Sequence, residues 1–171
     1  MLNKSVSTFL AAVLLGFAGL ALAQPAADRV EVKAPYVRAV PPGQPNSASF
    51  MMLHNGDSQD HALVGAESPV AKVVELHTHT MVDGMMRMRQ VEKIELPAGK
   101  MTGLQPGGLH IMLIGLQQTL TPGEDIPLNL LFEDGSKAAV SAPVRKLQMH
   151  MKKMDHSDHM EPAGHEHMEH H

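Results

Sequence analysis

From residue 30 to residue 144, apolar and polar positions alternate in short runs punctuated by turn residues. Val30-Glu31-Val32-Lys33 and Tyr36-Val37-Arg38 form the first such run, interrupted by Pro35. Proline has no N–H to give to a ladder, so this strand is expected at a sheet edge. After the stiff loop Pro41-Pro42-Gly43-Gln44-Pro45-Asn46 comes a strand from Ser49 to His54, closed by the turn signal Asn55-Gly56-Asp57. Further strands are predicted at Ala62 to Ala66, Val73 to Met81, Met85 to Val91, Ile94 to Leu96, Met101 to Leu104, His110 to Leu116, Ile126 to Phe132 and Ala138 to Val144. Turns between them fall at Asp83-Gly84, Pro97-Ala98-Gly99, Pro106-Gly107-Gly108, Thr121-Pro122-Gly123 and Asp134-Gly135. No stretch after residue 23 has a period of 3.6. About nine or ten short strands at roughly eight-to-twelve-residue spacing describe an all-β domain, a sandwich or small barrel.

The two ends of the chain break this pattern. Lys4 is the only charged residue before Asp28, and Phe9 to Leu22 is nearly all apolar, ending in Ala21-Leu22-Ala23. Such a run is short for a membrane span and ends on the small-x-small pattern of a cleavage site. Residues 1–23 are therefore read as a cleaved secretory signal rather than an uncleaved anchor, with Gln24 as the mature N-terminus. Residues 24–29 read as a flexible leader, and residues 30–147 as the domain. Residues 148–171 hold seven His and five Met with no Val, Ile, Leu or aromatic residue. That segment cannot bury enough apolar area to offset its ordering entropy, so a disordered tail is expected.

Composition narrows the chemistry. The 171 residues include 14 Met and 12 His but no Cys, and the formal charge is −4. Without Cys there is no disulfide scaffold, no thiolate zinc or iron–sulfur site, no Cys-containing blue-copper centre and no lipidated N-terminal Cys. Net negative charge with only 3% aromatic residues argues against a nucleic-acid partner. Abundant thioether and imidazole without thiol instead point to a soft metal.

The pattern gathers these donors on one hairpin and one strand. A two-residue turn at Asp83-Gly84 sets Val82 opposite Met85, Met81 opposite Met86, His79 opposite Met88 and His77 opposite Gln90. With side chains alternating, His77, His79, Met81, Met86 and Met88 share one face, while Leu76, Thr78 and Arg87 occupy the other. His77 and Met88 become diagonal neighbours. In His110-Ile111-Met112 the His and Met again share a face, and Ile111 turns to the core. Two imidazoles and two thioethers suit Cu(I), a d10 ion with no strong geometric demand. Neither donor must lose a proton at neutral pH, and binding should weaken below about pH 6.5 as imidazole protonates. A single Met or His on a strand is ordinarily structural; the convergence of four favours a metal.

The spacing His77-x10-Met88-x21-His110-x-Met112 resembles that of the periplasmic CuA chaperone family, PCu(A)C. Val74-Glu75-Leu76-His77, Asp83-Gly84-Met85-Met86-Arg87-Met88, Leu96-Pro97-Ala98-Gly99, Pro106 to Leu113, Pro41 to Asn46 and Phe132-Glu133-Asp134-Gly135 resemble its signature as well. The resemblance spans roughly residues 30–145. It implies a cupredoxin-like Greek-key β-sandwich, and one Cu(I) held at an exposed site by His77, Met88, His110 and Met112. It also implies delivery of copper to the CuA centre of cytochrome c oxidase subunit II, often alongside a Sco-type protein. The expected state is a periplasmic monomer with no nucleic-acid partner and no membrane insertion once the signal is removed.

Other donors have secondary roles. His79 faces Met88 and could act as an alternative or supporting ligand. Met81, Met85 and Met86 could form a soft apron for an incoming ion or pack at the hairpin tip. His54 and His61 flank the Asn55-Gly56 turn and read as solvent-facing. By similarity to extended family members, the tail implies a second copper site, His favouring Cu(II) and Met Cu(I). Its candidate donors are His150, His156, His159, His165, His167, His170 and His171, with Met149, Met151, Met154, Met160 and Met168. A general metal buffer or a solubilising tail are the alternatives there. For the whole protein the alternatives are copper buffering or resistance without a dedicated acceptor, and a copper enzyme. A polysaccharide monooxygenase needs an N-terminal His where Gln24 stands, and a cupredoxin electron carrier needs Cys. No triad or carboxylate pair stands out for hydrolysis, so a non-enzymatic protein is expected.

Overall fold

The computed structural model describes residues 24–146, which form one helical turn and ten strands. The turn is α1 (Ala26–Arg29), and the strands are β1 (Val30–Arg38), β2 (Asn46–Asn55), β3 (His61–Glu67), β4 (Ala71–Val82) and β5 (Met85–Gln90). β6 (Ile94–Leu96), β7 (Met101–Leu104), β8 (His110–Leu116), β9 (Asp125–Phe132) and β10 (Lys137–Arg145) complete them. Three predicted strands, β6 to β8, match to the residue, the first run shares both ends of β1, and the others differ by a few residues at their ends. The segments read as a signal, 1–23, and as a His/Met tail, 148–171, lie outside the described residues. Among the described residues no helix is long and apolar enough to cross a membrane.

One continuous sheet runs β5-β4-β8-β2-β1-β10-β9-β3-β6, with β7 also paired to β2. It divides into two halves joined by a short parallel contact of β1 with β10, at Val37 with Val144 and Arg38 with Arg145. The halves close over one core. Leu53, Leu76, Ile111 and Leu113 come from one side and Leu63, Ile94, Ile126, Leu128, Leu130 and Phe132 from the other, in a single buried cluster. Alternation along β9, where Ile126, Leu128, Leu130 and Phe132 are buried between exposed neighbours, is the period-two pattern of a strand with one face in the core. The architecture is the all-β, cupredoxin-like sandwich that the sequence implied.

Three expectations are corrected. β1 is an interior strand lying between β2 and β10, where an edge had been expected from Pro35. The missing N–H is accommodated by a register shift between Lys33 and Tyr36, with Ala34 at a left-handed φ of 47°. Ser47 and Ser49, fully buried on β2, donate hydroxyl hydrogen bonds to the carbonyls of Arg38 (2.6 Å) and Tyr36 (3.1 Å) beside this bulge. Residues 24–29 are also no flexible leader. Ala26 is fully buried, its N–H donates to Asp134 Oδ2 at 2.8 Å, and the Ala27 N–H donates to Ser136 Oγ at 3.0 Å.

The third correction concerns His61, expected to face solvent. Its side chain is only 10% exposed, because Nδ1 lies 2.6 Å from Glu133 Oε1 and Nε2 lies 3.4 Å from Asp57 Oδ2. Burial works against its protonated form, but the hydrogen bonds and charges of Glu133 and Asp57 together outweigh it and raise the imidazole above its usual value. A raised His contributes stability that is present in full below the unfolded value near 6.5 and fades as pH climbs through the folded one. His61→Gln should therefore cost about 1.5 kcal/mol in urea unfolding at about pH 5.5 and distinctly less at about pH 8.5. Equal losses at both pH values would show that the imidazole acts here without its charge.

Candidate metal centre

The β4–β5 hairpin has the register its turn dictates. Asp83 and Gly84 both adopt positive φ (52° and 75°), the twist of a primed two-residue turn, which suits the right-handed twist of the flanking strands. His77 pairs with Gln90, His79 with Met88, Met81 with Met86 and Val82 with Met85. β8 then pairs with the other side of β4, placing His110 opposite His77 and Met112 opposite Glu75. The hairpin and third strand are thus three neighbours in one sheet, β5-β4-β8, rather than facing layers. His77 is the central position. His110 is directly beside it on β8, while Met112 on β8 and Met88 on β5 lie on its two diagonals. Beneath them Leu76 and Ile111 are buried in the core, which fixes the alternating residues on the other face.

Hydrogen bonds select which ring nitrogens remain free. His77 Nε2 lies 2.8 Å from Glu75 Oε2, so the N–H there donates to the carboxylate and leaves the lone pair on Nδ1. That Nδ1 is buried, with no hydrogen-bond partner among the described residues. His110 donates Nδ1–H to the Gly108 carbonyl at 3.0 Å, leaving Nε2 as the acceptor. An imidazole held by a carboxylate or carbonyl through one nitrogen and bare at the other is the usual arrangement of a metal-binding histidine. His110 is 2% exposed. Burial, only partly opposed by the Gly108 bond and aided by His79, His77 and Arg38, pushes its pKa below the usual value. It therefore stays neutral, and able to ligate, to a lower pH than the 6.5 expected of an ordinary imidazole.

A cavity of about 120 Å³ opens at this spot, lined by Arg38, Ala48, Phe50, His79, Met88, Pro106, Gly107, His110 and Met112. The rings of His77 and His79 lie 5.9 and 5.1 Å from that of His110, and Phe50 lies 6.2 Å from it. Tyr36 backs Phe50 at 5.2 Å, and the Arg145 guanidinium covers Tyr36 at 5.5 Å. Among the described residues no three His, Asp or Glu side chains are grouped to hold an ion by themselves. Met88 and Met112 line the cavity together with His79 and His110, whereas His77 is not among its lining residues.

The structure brings His77, His79, Met88, His110 and Met112 to one surface; Met81, Met85 and Met86 stand at the exposed hairpin tip. The tail donors, His150 to His171 and Met149 to Met168, lie outside the described residues. Sequence reading did not single out Glu75, Gly108, Arg38 or Phe50. Glu75 carried a usable signal, since position i−2 of a strand shares the face of His77. Arg38 and Phe50 reach the site only through the long-range pairing of β8 with β2 and β2 with β1, which no local pattern announces.

Known proteins share the sequence family and the fold of this chain. Residues 30–144 match the LpqE-like family, described as "Putative lipoprotein LpqE-like". A protein of Leifsonia xyli subsp. xyli (strain CTCB07) named "Putative lipoprotein Lxx21020" is 36% identical over 148 residues, covering 81% of this chain and 88% of its own. The solution structure of Cu(I)-bound DR1885 from Deinococcus radiodurans is 37% identical, with a TM-score of 0.59 over 72% of this chain and 87% of that one. The copper-bound PCuAC domain of PmoF2 shares the fold at 21% identity, with a TM-score of 0.60 over 73% of this chain and 99% of that domain.

Proposed function

The chain belongs to the LpqE-like family of PCu(A)C-type domains, and from that premise we propose that it is an exported copper chaperone. Its site holds one Cu(I) between His77 Nδ1, His110 Nε2 and the sulfurs of Met88 and Met112. The observation that carries this reading is the pair of imidazoles whose second nitrogens are already committed to Glu75 and Gly108, flanked by two thioethers on neighbouring strands. Preset tautomers mean that binding requires no proton release, and thioethers bind without the oxidation risk of thiols. Copper here is cargo, and a carrier must let it go. Met88 is 45% exposed, so an incoming donor can displace its sulfur first.

Export rests on the 1–23 signal pattern and on the lipoprotein names of relatives; this chain, lacking Cys, has no lipid attachment site of that kind. The periplasm is the expected compartment, and the chain acts there as a monomer that neither enters the membrane nor binds nucleic acid. The proposed acceptor is the CuA site of cytochrome c oxidase subunit II, directly or through a Sco-type protein. No catalytic step is assigned. The decisive experiment mixes Cu(I)-loaded full-length protein with copper-free subunit II domain and follows which partner holds the metal. A chaperone loads the acceptor; a copper buffer, the competing reading, withholds the ion.

The tail from 148 to 171 is proposed to bind further copper, chiefly Cu(II). As a flexible tether it would hold that ion near the domain at roughly millimolar effective concentration. Removing residues 148–171 should lower Cu(II) stoichiometry while leaving one Cu(I) per domain. An unchanged Cu(II) count would remove this role.

A further inference from the structure

The inner site needs one imidazole from β4, yet β4 presents two. His79 Nδ1 is buried and has no hydrogen-bond partner among the described residues, the same condition as His77 Nδ1, and His79 lines the cavity. A buried, unpartnered polar atom in a native fold asks for an explanation; stacking on the His110 ring at 5.1 Å orients the imidazole but gives its Nδ1 no hydrogen bond. One rung further out, Met81 and Met86 are paired across the hairpin on the same face as His79 and Met88. They are 64% and 54% exposed, and so serve no core. Exposure falls steadily along this face, from Met81 and Met86 at the tip, through Met88 at 45%, to His110 at 2%.

We propose that His79, Met81 and Met86 form an outer Cu(I) station, sharing Met88 with the inner site, through which copper enters and leaves. The inference rests on the copper reading of the inner site. Directly opposed residues on a ladder have Cβ atoms about 5 Å apart, and two flexible thioethers on that rung can close on one ion. His79 on the next rung supplies the third donor, through the buried Nδ1. Two thioethers and an imidazole suit Cu(I), which accepts low coordination numbers, and disfavour hard ions. Successive rungs on one face are roughly 7 Å apart, so the transfer inward is a single short step. The step is ligand exchange: Met88 binds the ion before Met81 and Met86 release it, and no electron or proton changes hands.

The test follows carbon-13-labelled methionine methyls of the full-length protein during anaerobic Cu(I) titration, each resonance assigned by a single Met→Leu variant. The Met88 and Met112 methyls should move with the first equivalent and those of Met81 and Met86 with later ones. His79→Ala should abolish the second movement and leave the first. In stopped-flow exchange with a chromophoric Cu(I) chelator, the Met81→Leu, Met86→Leu double variant should capture and release copper several-fold more slowly at unchanged inner-site affinity. Both substitutions conserve volume on an exposed hairpin, so folding is not at issue. Met81 and Met86 methyls that stay in place to saturation while Met88 and Met112 move would overturn the outer station alone, as would wild-type exchange rates in the double variant. Immobile Met88 and Met112 methyls would overturn the copper reading itself, and the station with it.

Discussion

Met112→Leu is expected to weaken Cu(I) binding about 100-fold, or about 2.7 kcal/mol, while Cu(II) binding and folding stability change little. The substitution roughly keeps the side chain's apolar volume, so the half-buried place it fills beside Ala48 and Glu75 stays filled. What is lost is one sulfur. Cu(I) is soft and is served by thioether; Cu(II) is harder and takes its affinity chiefly from imidazole nitrogens, which the variant retains. Chelator competition under reducing conditions measures the first quantity, and Cu(II) titration of the same protein the second. Met88→Leu should behave alike but more weakly, because Met88 is more exposed and its place is more readily taken by another donor. Equal losses for both oxidation states at Met112 would mean that the sulfur shapes the cavity rather than binding the ion.

The contrast between these two methionines shows how the sheet divides labour. β8 is flanked by β4 and β2: Met112 is paired on both sides, and His110 pairs with His77 on β4 while the Phe50 ring of β2 lies 6.2 Å from its own. Among the described residues β5 pairs with β4 alone, at the end of the sheet order, and all six of its residues are exposed. The site is rigid at one margin and open at the other. Such asymmetry suits a carrier, for which retention and release are both required.

Much of this was legible because the local rules agreed with one another. The Asp83-Gly84 turn set the hairpin register, and period-two alternation then put His77, His79 and Met88 on one face. The turns at Pro97-Ala98-Gly99 and Pro106-Gly107-Gly108 fixed the end of β6, both ends of β7 and the start of β8. Where reading failed, a distant partner had intervened. β1 became interior because a bulge at Ala34 absorbed Pro35, and the chain has no local sign of β10 returning beside Val37. His61 is held by Glu133, which lies on a turn far along the chain. The adjacency of β4 and β8 was likewise beyond periodicity; only the motif spacing hinted that His110 would stand beside His77.

The residue between the two β8 ligands provides the second large effect. Ile111 is fully buried, paired with Leu76 on β4 and Ser49 on β2, and belongs to the core cluster. Ile111→Ala should destabilise the copper-free protein by about 3 kcal/mol through lost burial and a residual cavity, which lowers the melting temperature by roughly 10 °C. Neither donor is touched, so the folded variant retains its affinity for Cu(I). A ligand that binds only the folded state at about 1,000 times its Kd returns about 4 kcal/mol, and copper should therefore restore most of the lost stability. His110→Ala provides the contrast, since it removes a buried side chain and a ligand together and should melt early with or without copper. A segment that binds copper equally well in folded and unfolded chains shifts no folding equilibrium, so the tail cannot mimic this rescue. Thermal melts of both variants with and without Cu(I) decide the matter. If copper raises the melting temperature of His110→Ala as much as that of Ile111→Ala, the stabilising ion is not bound at His110.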